Sequence, residues 1–126
     1  MKLLLDTQSL IWWLNDDPKL GPRTRSLIAA AQSEVLISVV SFWEVSIKHR
    51  IGKFDERGSE LMHESQSSGF EIVEIEPEHL TALETFVAKP GHKDPFDHLI
   101  LIQAKAKGAI LVTSDRQLCG YDVRCL

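Results

Sequence analysis

Short apolar runs alternate with longer stretches in which apolar residues recur every three or four positions. Consecutive apolar or β-branched residues indicate buried strands, whereas the wider spacing indicates helices with one apolar face. The predicted strands are Lys2–Leu5, Glu34–Val40, Phe70–Ile75 and Ala109–Thr113, with Tyr121–Leu126 as a candidate fifth. The predicted helices are Thr7–Leu14, Pro22–Gln32, Ser41–Arg50, Arg57–Ser68, Pro77–Lys89 and Pro95–Lys107.

The regular alternation of strand and helix predicts the fold class. Strands that are nearly all apolar and separated by helices are typical of α/β proteins with a parallel sheet covered on both faces. The helix that begins at Pro77 is expected to carry Leu80, Leu83 and Val87 on one face. Because ligands of such folds gather outside the carboxyl ends of the strands, we expect a functional site at that edge.

Length and composition narrow the class of protein. A chain of 126 residues, 44% hydrophobic and 25% charged, is expected to form one domain over residues 1–126 with a substantial core. No apolar run approaches the roughly 20 residues that a membrane span needs. The expected location is the cytoplasm.

Charge and cysteine content bear on partners and metals. The formal charge of −4 argues against a nucleic-acid partner, unless acidic residues hold divalent cations. Two bound Mg²⁺ ions would bring that charge to zero and attract phosphate. Cys119 and Cys125 are expected to be two reduced thiols. A zinc site would need further ligands, which are missing around them.

Four acidic residues are predicted to meet at the carboxyl edge of the sheet. Asp6 and Asp115 directly follow strands, and Glu44 lies one turn into the helix after the second strand. Asp97 lies in the first turn of the helix that leads into the fourth strand, so the start of that helix belongs near the same edge. A site built from three to five carboxylates could therefore be assembled there.

Helix capping is the competing interpretation of the same residues. Each acid sits at a predicted helix N-terminus, where carboxylates accept hydrogen bonds from free N–H groups. Ser41 with Glu44 has the S-x-x-E form of a capping box, and Ser114 with Gln117 has the S-x-x-Q form. Asp94 is a suitable N-cap ahead of Pro95. Spacing alone leaves both interpretations open.

A carboxylate cluster of this kind would serve a particular chemistry. Mg²⁺ and Mn²⁺ prefer oxygen ligands and keep several waters. Ions held in this way can activate a water and stabilise an in-line displacement at phosphorus. Such a reaction needs no nucleophilic side chain, which suits a sequence without a Ser-His-Asp or Cys-His arrangement.

Three blocks of the sequence resemble PIN-domain proteins, specifically the VapC-type toxin ribonucleases of bacterial toxin–antitoxin pairs. The blocks are "LLLDTQSLIWWL", "ISVVSFWEVSIKHRIGKF" and "HKDPFDHLILIQAKAKGAILVTSD", and together they span nearly the whole chain. The resemblance implies a three-layer α/β/α sandwich with a mostly parallel sheet. It also implies an Mg²⁺- or Mn²⁺-dependent endoribonuclease acting on structured RNA such as tRNA or rRNA, a homodimer and a cognate antitoxin.

The resemblance assigns the catalytic and metal-binding acids to Asp6, Glu44, Asp97 and Asp115. In our hypothesis Asp6 and Asp97 bind the main cation, Asp115 completes its shell, and Glu44 orients the attacking water or supports a second ion. Supporting roles fall to three residues beside these acids: Asp94, Thr113 and Ser114. The candidates for RNA contact are Arg116, Lys48 and Lys53, for which a solvated surface position is the competing interpretation.

Three alternatives remain open at this stage. One is a PIN-domain housekeeping nuclease, and another is a non-catalytic PIN module that binds RNA or protein. The third is a phosphatase of the haloacid-dehalogenase type, which usually has a second Asp two residues after the first. Gln8 occupies that position here, which counts against the phosphatase.

Overall fold

The computed structural model describes all of residues 1–126. Its sheet has the strand order β3-β2-β1-β4, and every neighbouring pair is parallel. The strands are β1 (Lys2–Leu5), β2 (Glu34–Ser38), β3 (Glu71–Val73) and β4 (Ile110–Val112). The helices are α1 (Thr7–Leu14), α2 (Pro22–Ala29), α3 (Val39–Arg50), α4 (Gly58–Ser67), α5 (Pro77–Glu84) and α6 (Pro95–Lys107).

Both faces of the sheet are buried, which confirms the predicted three-layer α/β/α architecture. Successive side chains of a strand point to opposite faces, and in β1 Leu3 and Leu5 join one apolar cluster while Leu4 joins the other. The first cluster is completed by residues of α1 to α4, and the second mainly by residues of α6. None of the helices is both long and apolar enough to cross a membrane.

The start of α3 differs from its prediction. Ser38 caps this helix, its Oγ accepting a hydrogen bond from the Val40 N–H at 3.0 Å. Ser41 and Glu44 therefore lie inside the helix, and the capping box predicted for them is wrong. The β-branched pair Val39–Val40 extends the apolar run of β2 in the sequence, which hid the boundary.

The segment after α5 also differs from its prediction. The helix ends at Glu84 rather than at Lys89, so Val87 lies beyond it. Leu80 is 51% exposed and Val87 is 85% exposed, whereas Leu83 packs against the second apolar cluster. The periodic pattern thus located the helix, but it did not show which apolar residues the core would cover.

A close approach between α3 and α4 requires a glycine. A Cβ atom at Gly58 would collide with the Phe42 carbonyl oxygen and the Ser46 side chain, so the first residue of α4 packs directly on the α3 backbone. This packing fixes the position of the helix that carries Glu44.

The C-terminal segment was predicted incorrectly in two respects. It contributes a single bridge, Leu111 with Cys125, instead of a fifth strand. Cys119 and Cys125 form a disulfide with their Cα atoms 5.5 Å apart, so the expectation of reduced thiols is wrong. The six-residue separation lets the chain turn back on itself, which brings the two sulfurs within bonding reach.

Candidate active site

A cleft of about 280 Å³ opens at the carboxyl edge of the sheet. Five of its eleven lining residues are acidic, and only two are hydrophobic. All four predicted catalytic acids and Asp94 lie in its wall. The lining residues are Asp6, Thr7, Gln8, Glu44, Lys48, Phe54, Asp94, Asp97, Ser114, Asp115 and Leu118.

Asp6 stands at the junction of β1 and α1. Its Oδ1 accepts a hydrogen bond from the Ser9 N–H at 2.8 Å, so it caps α1, and its side chain also lines the cleft. The residue is 6% exposed. Burial raises the pKa of Asp6, and the hydrogen bonds from Thr113 and Ser9 oppose that effect. The charge of Glu44 adds to the upward shift of the Asp6 pKa.

Glu44 is buried in the middle of α3 and has a partner for each carboxylate oxygen. Its Oε1 accepts a hydrogen bond from Thr7 Oγ1 at 2.7 Å, and its Oε2 pairs with Lys48 Nζ at 2.5 Å. Ser41 Oγ lies 3.0 Å from the same Thr7 hydroxyl. These contacts join the start of α1 to α3 beside Asp6 and hold the Glu44 carboxylate in one orientation.

Asp94 and Asp97 both lie at the start of α6, but they have different surroundings. Asp94 caps the helix, its Oδ1 accepting a hydrogen bond from the Phe96 N–H at 2.9 Å. Asp97 Oδ2 lies 3.3 Å from His92 Nε2. Burial and the nearby charges of Asp94 and Glu44 raise the pKa of Asp97 to about 6, against an opposing contribution from His92.

Asp115 forms the exposed side of the cleft. Its Oδ1 accepts a hydrogen bond from the Gln117 N–H at 2.9 Å, and its own N–H donates to Thr113 Oγ1 at 3.0 Å. Thr113 thus lies between Asp115 and Asp6, and Ser114 lines the cleft beside them. No α-helix follows Asp115, so the capping box predicted for Ser114 and Gln117 is absent.

The donor set of the cleft fits a hard divalent cation. Its carboxylates are the oxygen ligands that Mg²⁺ and Mn²⁺ prefer, and ionising Asp6 and Asp97 is opposed by burial and by their acidic neighbours. A bound cation would relieve that opposition. No three Asp, Glu, His or Cys side chains converge into a ready-made cage. Mg²⁺ needs only one or two direct carboxylate ligands because it keeps much of its water.

The predicted RNA-contact residues are distributed unevenly. Lys48 lines the cleft through its ion pair with Glu44, and its Nζ also lies 5.2 Å from the centre of the Phe54 ring. Lys53 and Arg116 are exposed and lie outside the cleft wall. Of the three basic candidates, only Lys48 therefore lines the cleft.

Sequence reasoning missed two groups of residues at the site. Thr7 and Ser41 support Glu44, and His92 contacts Asp97. Thr7 follows Asp6 directly, so its place at the strand end was a usable signal. The contact of His92 with Tyr121, 29 positions away, left no signal in the local pattern.

Comparison with known proteins supports the architecture over the full chain. The PIN-domain family model matches residues 3–123. No curated protein gives a match. A structure of VapBC2 from Rickettsia felis bound to a promoter DNA fragment is 20% identical, with a TM-score of 0.68 over 100% of this chain and 98% of that chain. DNA-bound VapBC from Salmonella typhimurium is 17% identical, with a TM-score of 0.63 over 100% and 97%.

Proposed function

Because the chain belongs to the PIN-domain family, we propose that it is a toxin endoribonuclease of a toxin–antitoxin pair. It hydrolyses RNA phosphodiester bonds with Mg²⁺ or Mn²⁺, works in the cytoplasm as a single-domain protein and is inhibited by a cognate antitoxin. The observation that carries the proposal is the presence of five acidic residues in the wall of one cleft at the carboxyl edge of the sheet.

The side chains divide the work of the reaction. Asp6 and Asp97 provide the principal ligands for the cation, and Asp115 completes its surroundings from the exposed side of the cleft. The cation supplies positive charge that activates the attacking water and stabilises the charge developing at phosphorus. Glu44, held by Thr7 and Lys48, accepts a hydrogen bond from that water and orients it toward the phosphodiester.

Lys48 is the basic residue best placed to meet the substrate. Its ammonium group already lies in the cleft, and its side chain is 30% exposed. A phosphate that entered the cleft would find this charge beside Glu44. Lys53 and Arg116 would contact the RNA backbone farther from the bond that is cut, with tRNA or rRNA as the proposed substrate.

An antitoxin and a second copy of the chain are the proposed protein partners. Two of the neighbouring structures described above are VapBC assemblies, and exposed apolar side chains support such contacts here. Trp43 is 49% exposed beside Glu44 and packs edge-on against Phe96 with ring centroids 4.9 Å apart. A partner that covered Trp43 would therefore lie next to the cleft.

The principal test compares wild type with Asp6→Asn, because asparagine keeps the cap on α1 but removes the charge. We expect new RNA 5′ ends after brief induction of wild type and none after induction of Asp6→Asn. Cleavage by the purified wild type should stop with EDTA and return with Mg²⁺ or Mn²⁺. Asp55→Asn, at an exposed position outside the cleft, is the matched control and should cut normally.

Two outcomes would contradict the proposal. Full cleavage by Asp6→Asn would remove the acid from the mechanism, and cleavage that resists EDTA would remove the metal. A folded protein that binds RNA without cutting would point to the non-catalytic module. Growth arrest on induction that a co-expressed antitoxin relieves would separate a toxin from a housekeeping nuclease.

A further inference from the structure

His92 is buried in the loop before α6, and both of its ring nitrogens have partners. The residue is 4% exposed. Its Nδ1 lies 2.7 Å from the Tyr121 hydroxyl, and its Nε2 lies 3.3 Å from Asp97 Oδ2. A chain of hydrogen bonds therefore runs from the C-terminal segment through the imidazole to a carboxylate of the cleft.

The donors and acceptors along this chain follow from its first link. The Tyr121 hydroxyl accepts a hydrogen bond from the Lys89 N–H at 2.8 Å, and its own proton remains available to donate. A neutral imidazole whose Nε2 faces a carboxylate carries its proton there, so Nδ1 accepts from Tyr121. His92 consequently donates its Nε2–H to Asp97.

Packing around the imidazole leaves it little freedom to rotate. His98 donates from Nε2 to the His92 carbonyl oxygen at 2.9 Å, and the two rings meet edge to face with centroids 4.8 Å apart. The Tyr121 ring also packs against His92, with their centroids 5.6 Å apart. Tyr121 itself lies within the loop that the Cys119–Cys125 disulfide closes.

We propose that His92 is a positioning residue that orients Asp97 for the cation, with Tyr121 selecting the tautomer that can do so. The hydrogen bond holds Oδ2, while Oδ1 accepts no hydrogen bond from the protein and is left for the ion. Such partners of ligating groups fix the orientation of the ligand and change metal affinity when removed. The inference rests on the proposed function, because it presumes that Asp97 is a ligand.

Two substitutions of similar polarity separate the positioning role from simple packing. In His92→Gln the amide nitrogen replaces Nε2 and can still donate to Asp97. In His92→Asn the shorter amide reaches Tyr121 but not Asp97. We expect His92→Asn to weaken Mn²⁺ binding, measured by calorimetry without RNA, by roughly 10- to 100-fold.

The other variants complete the expected pattern. His92→Gln should keep most of the wild-type affinity for Mn²⁺. Tyr121→Phe should have an affinity between those of wild type and His92→Asn, because the phenylalanine no longer selects the tautomer of His92. RNA cleavage by His92→Asn should recover at saturating Mn²⁺. His63→Asn, an exposed position on α4, is the matched control and should bind Mn²⁺ as wild type does.

Three results would overturn the inference. The first is that both His92 variants bind Mn²⁺ as tightly as wild type. The second is that both variants lose Mn²⁺ affinity equally and show an equal fall in Tm. If His92→Asn does not fold, unchanged Mn²⁺ affinity in Tyr121→Phe is the third. A wild-type protein that neither binds Mn²⁺ nor cuts RNA would instead overturn the proposed function, and this inference with it.

Discussion

At the scale of single residues, the cleft holds carboxylates in surroundings that oppose their ionisation. Asp6 loses hydration by burial, and Asp97 loses hydration while facing the charges of Asp94 and Glu44. Groups with such shifted pKa values cluster at functional sites. Ionising these carboxyls therefore lowers the stability of the protein without a cation, and they are the groups that would bind the cation.

The pH dependence of stability should report this arrangement. The unfolded Asp97 ionises near pH 3.8, whereas the folded one keeps its proton to about pH 6. Between these values the folded state binds more protons, so the free energy of unfolding in EDTA should fall as pH rises and then level off above about pH 6. Urea denaturation across this range measures the change.

Two variations check the origin of this slope. Asp97→Asn should remove the part of the slope that Asp97 causes. The part caused by Asp6 should remain, with the same sign, because the pKa of Asp6 is also raised. Added Mg²⁺ should stabilise the ionised site and so reduce the fall in the free energy of unfolding as the pH approaches 6. An unchanged slope in Asp97→Asn would contradict the assignment of the raised pKa to this carboxyl.

The positions of the site residues were predictable from sequence only where local order along the chain determines them. Asp6 and Asp115 follow strands directly, so the parallel sheet alone brings them to one edge. Asp6 and Asp94 cap helices and also line the cleft, so the capping interpretation is confirmed there and does not exclude the proposed role in the site. His92 depends on Tyr121, whose position is set by tertiary packing and the disulfide.

At the scale of elements, the cap of α6 serves both stability and the cleft. We expect Asp94→Ala to lower the free energy of unfolding by about 1 kcal/mol, because the Phe96 N–H loses its acceptor. It should also weaken cleavage, whereas Asp97→Ala should abolish it. Urea denaturation and RNA cleavage assays measure the two effects.

Asp94→Asn provides the matched control for the cap. The amide oxygen can still accept from the Phe96 N–H, so stability should stay close to that of wild type. Removing the charge should lower the pKa of Asp97, because Asp94 contributes to its upward shift. If Asp94→Asn lost as much stability as Asp94→Ala, loss of the capping hydrogen bond would not explain the lower stability of Asp94→Ala.

Element boundaries were predictable where a capping residue or glycine marks them. Pro95 opens α6, and Gly108 ends it with a φ of 62°. The start of α3 was missed although Ser38 caps it, because Ser38 and the following valines continue the apolar strand pattern. At α5 the periodic pattern ran past the true end, since packing against the rest of the protein decides how far a helix continues.

At the scale of the whole molecule, the disulfide closes a loop in the C-terminal segment, and the end of this segment pairs with β4. Leu126 donates to the Leu111 carbonyl oxygen at 2.8 Å, and Leu111 donates to the Arg124 carbonyl oxygen at 2.8 Å. Closing so short a loop stabilises the folded state by about 2 kcal/mol. We expect reduction with dithiothreitol to lower the free energy of unfolding by about that amount.

A cysteine-free variant tests whether the disulfide is responsible. Cys119→Ser combined with Cys125→Ser should be as stable as the reduced wild type and should not respond to dithiothreitol. Denaturation curves recorded with and without the reductant provide the measurement. If wild type unfolds identically under both conditions, the disulfide contributes nothing to the folded state.

The order of the strands has a consequence for the synthesis of the protein. β1 lies between β2 and β4, and the Asp6 N–H donates to the Val112 carbonyl oxygen at 3.0 Å. The first strand translated therefore finds its last neighbour only when Val112 has left the ribosome, and Asp115 follows later still. A chain in translation carries no complete cleft, so the proposed activity would begin only after Asp115 has left the ribosome.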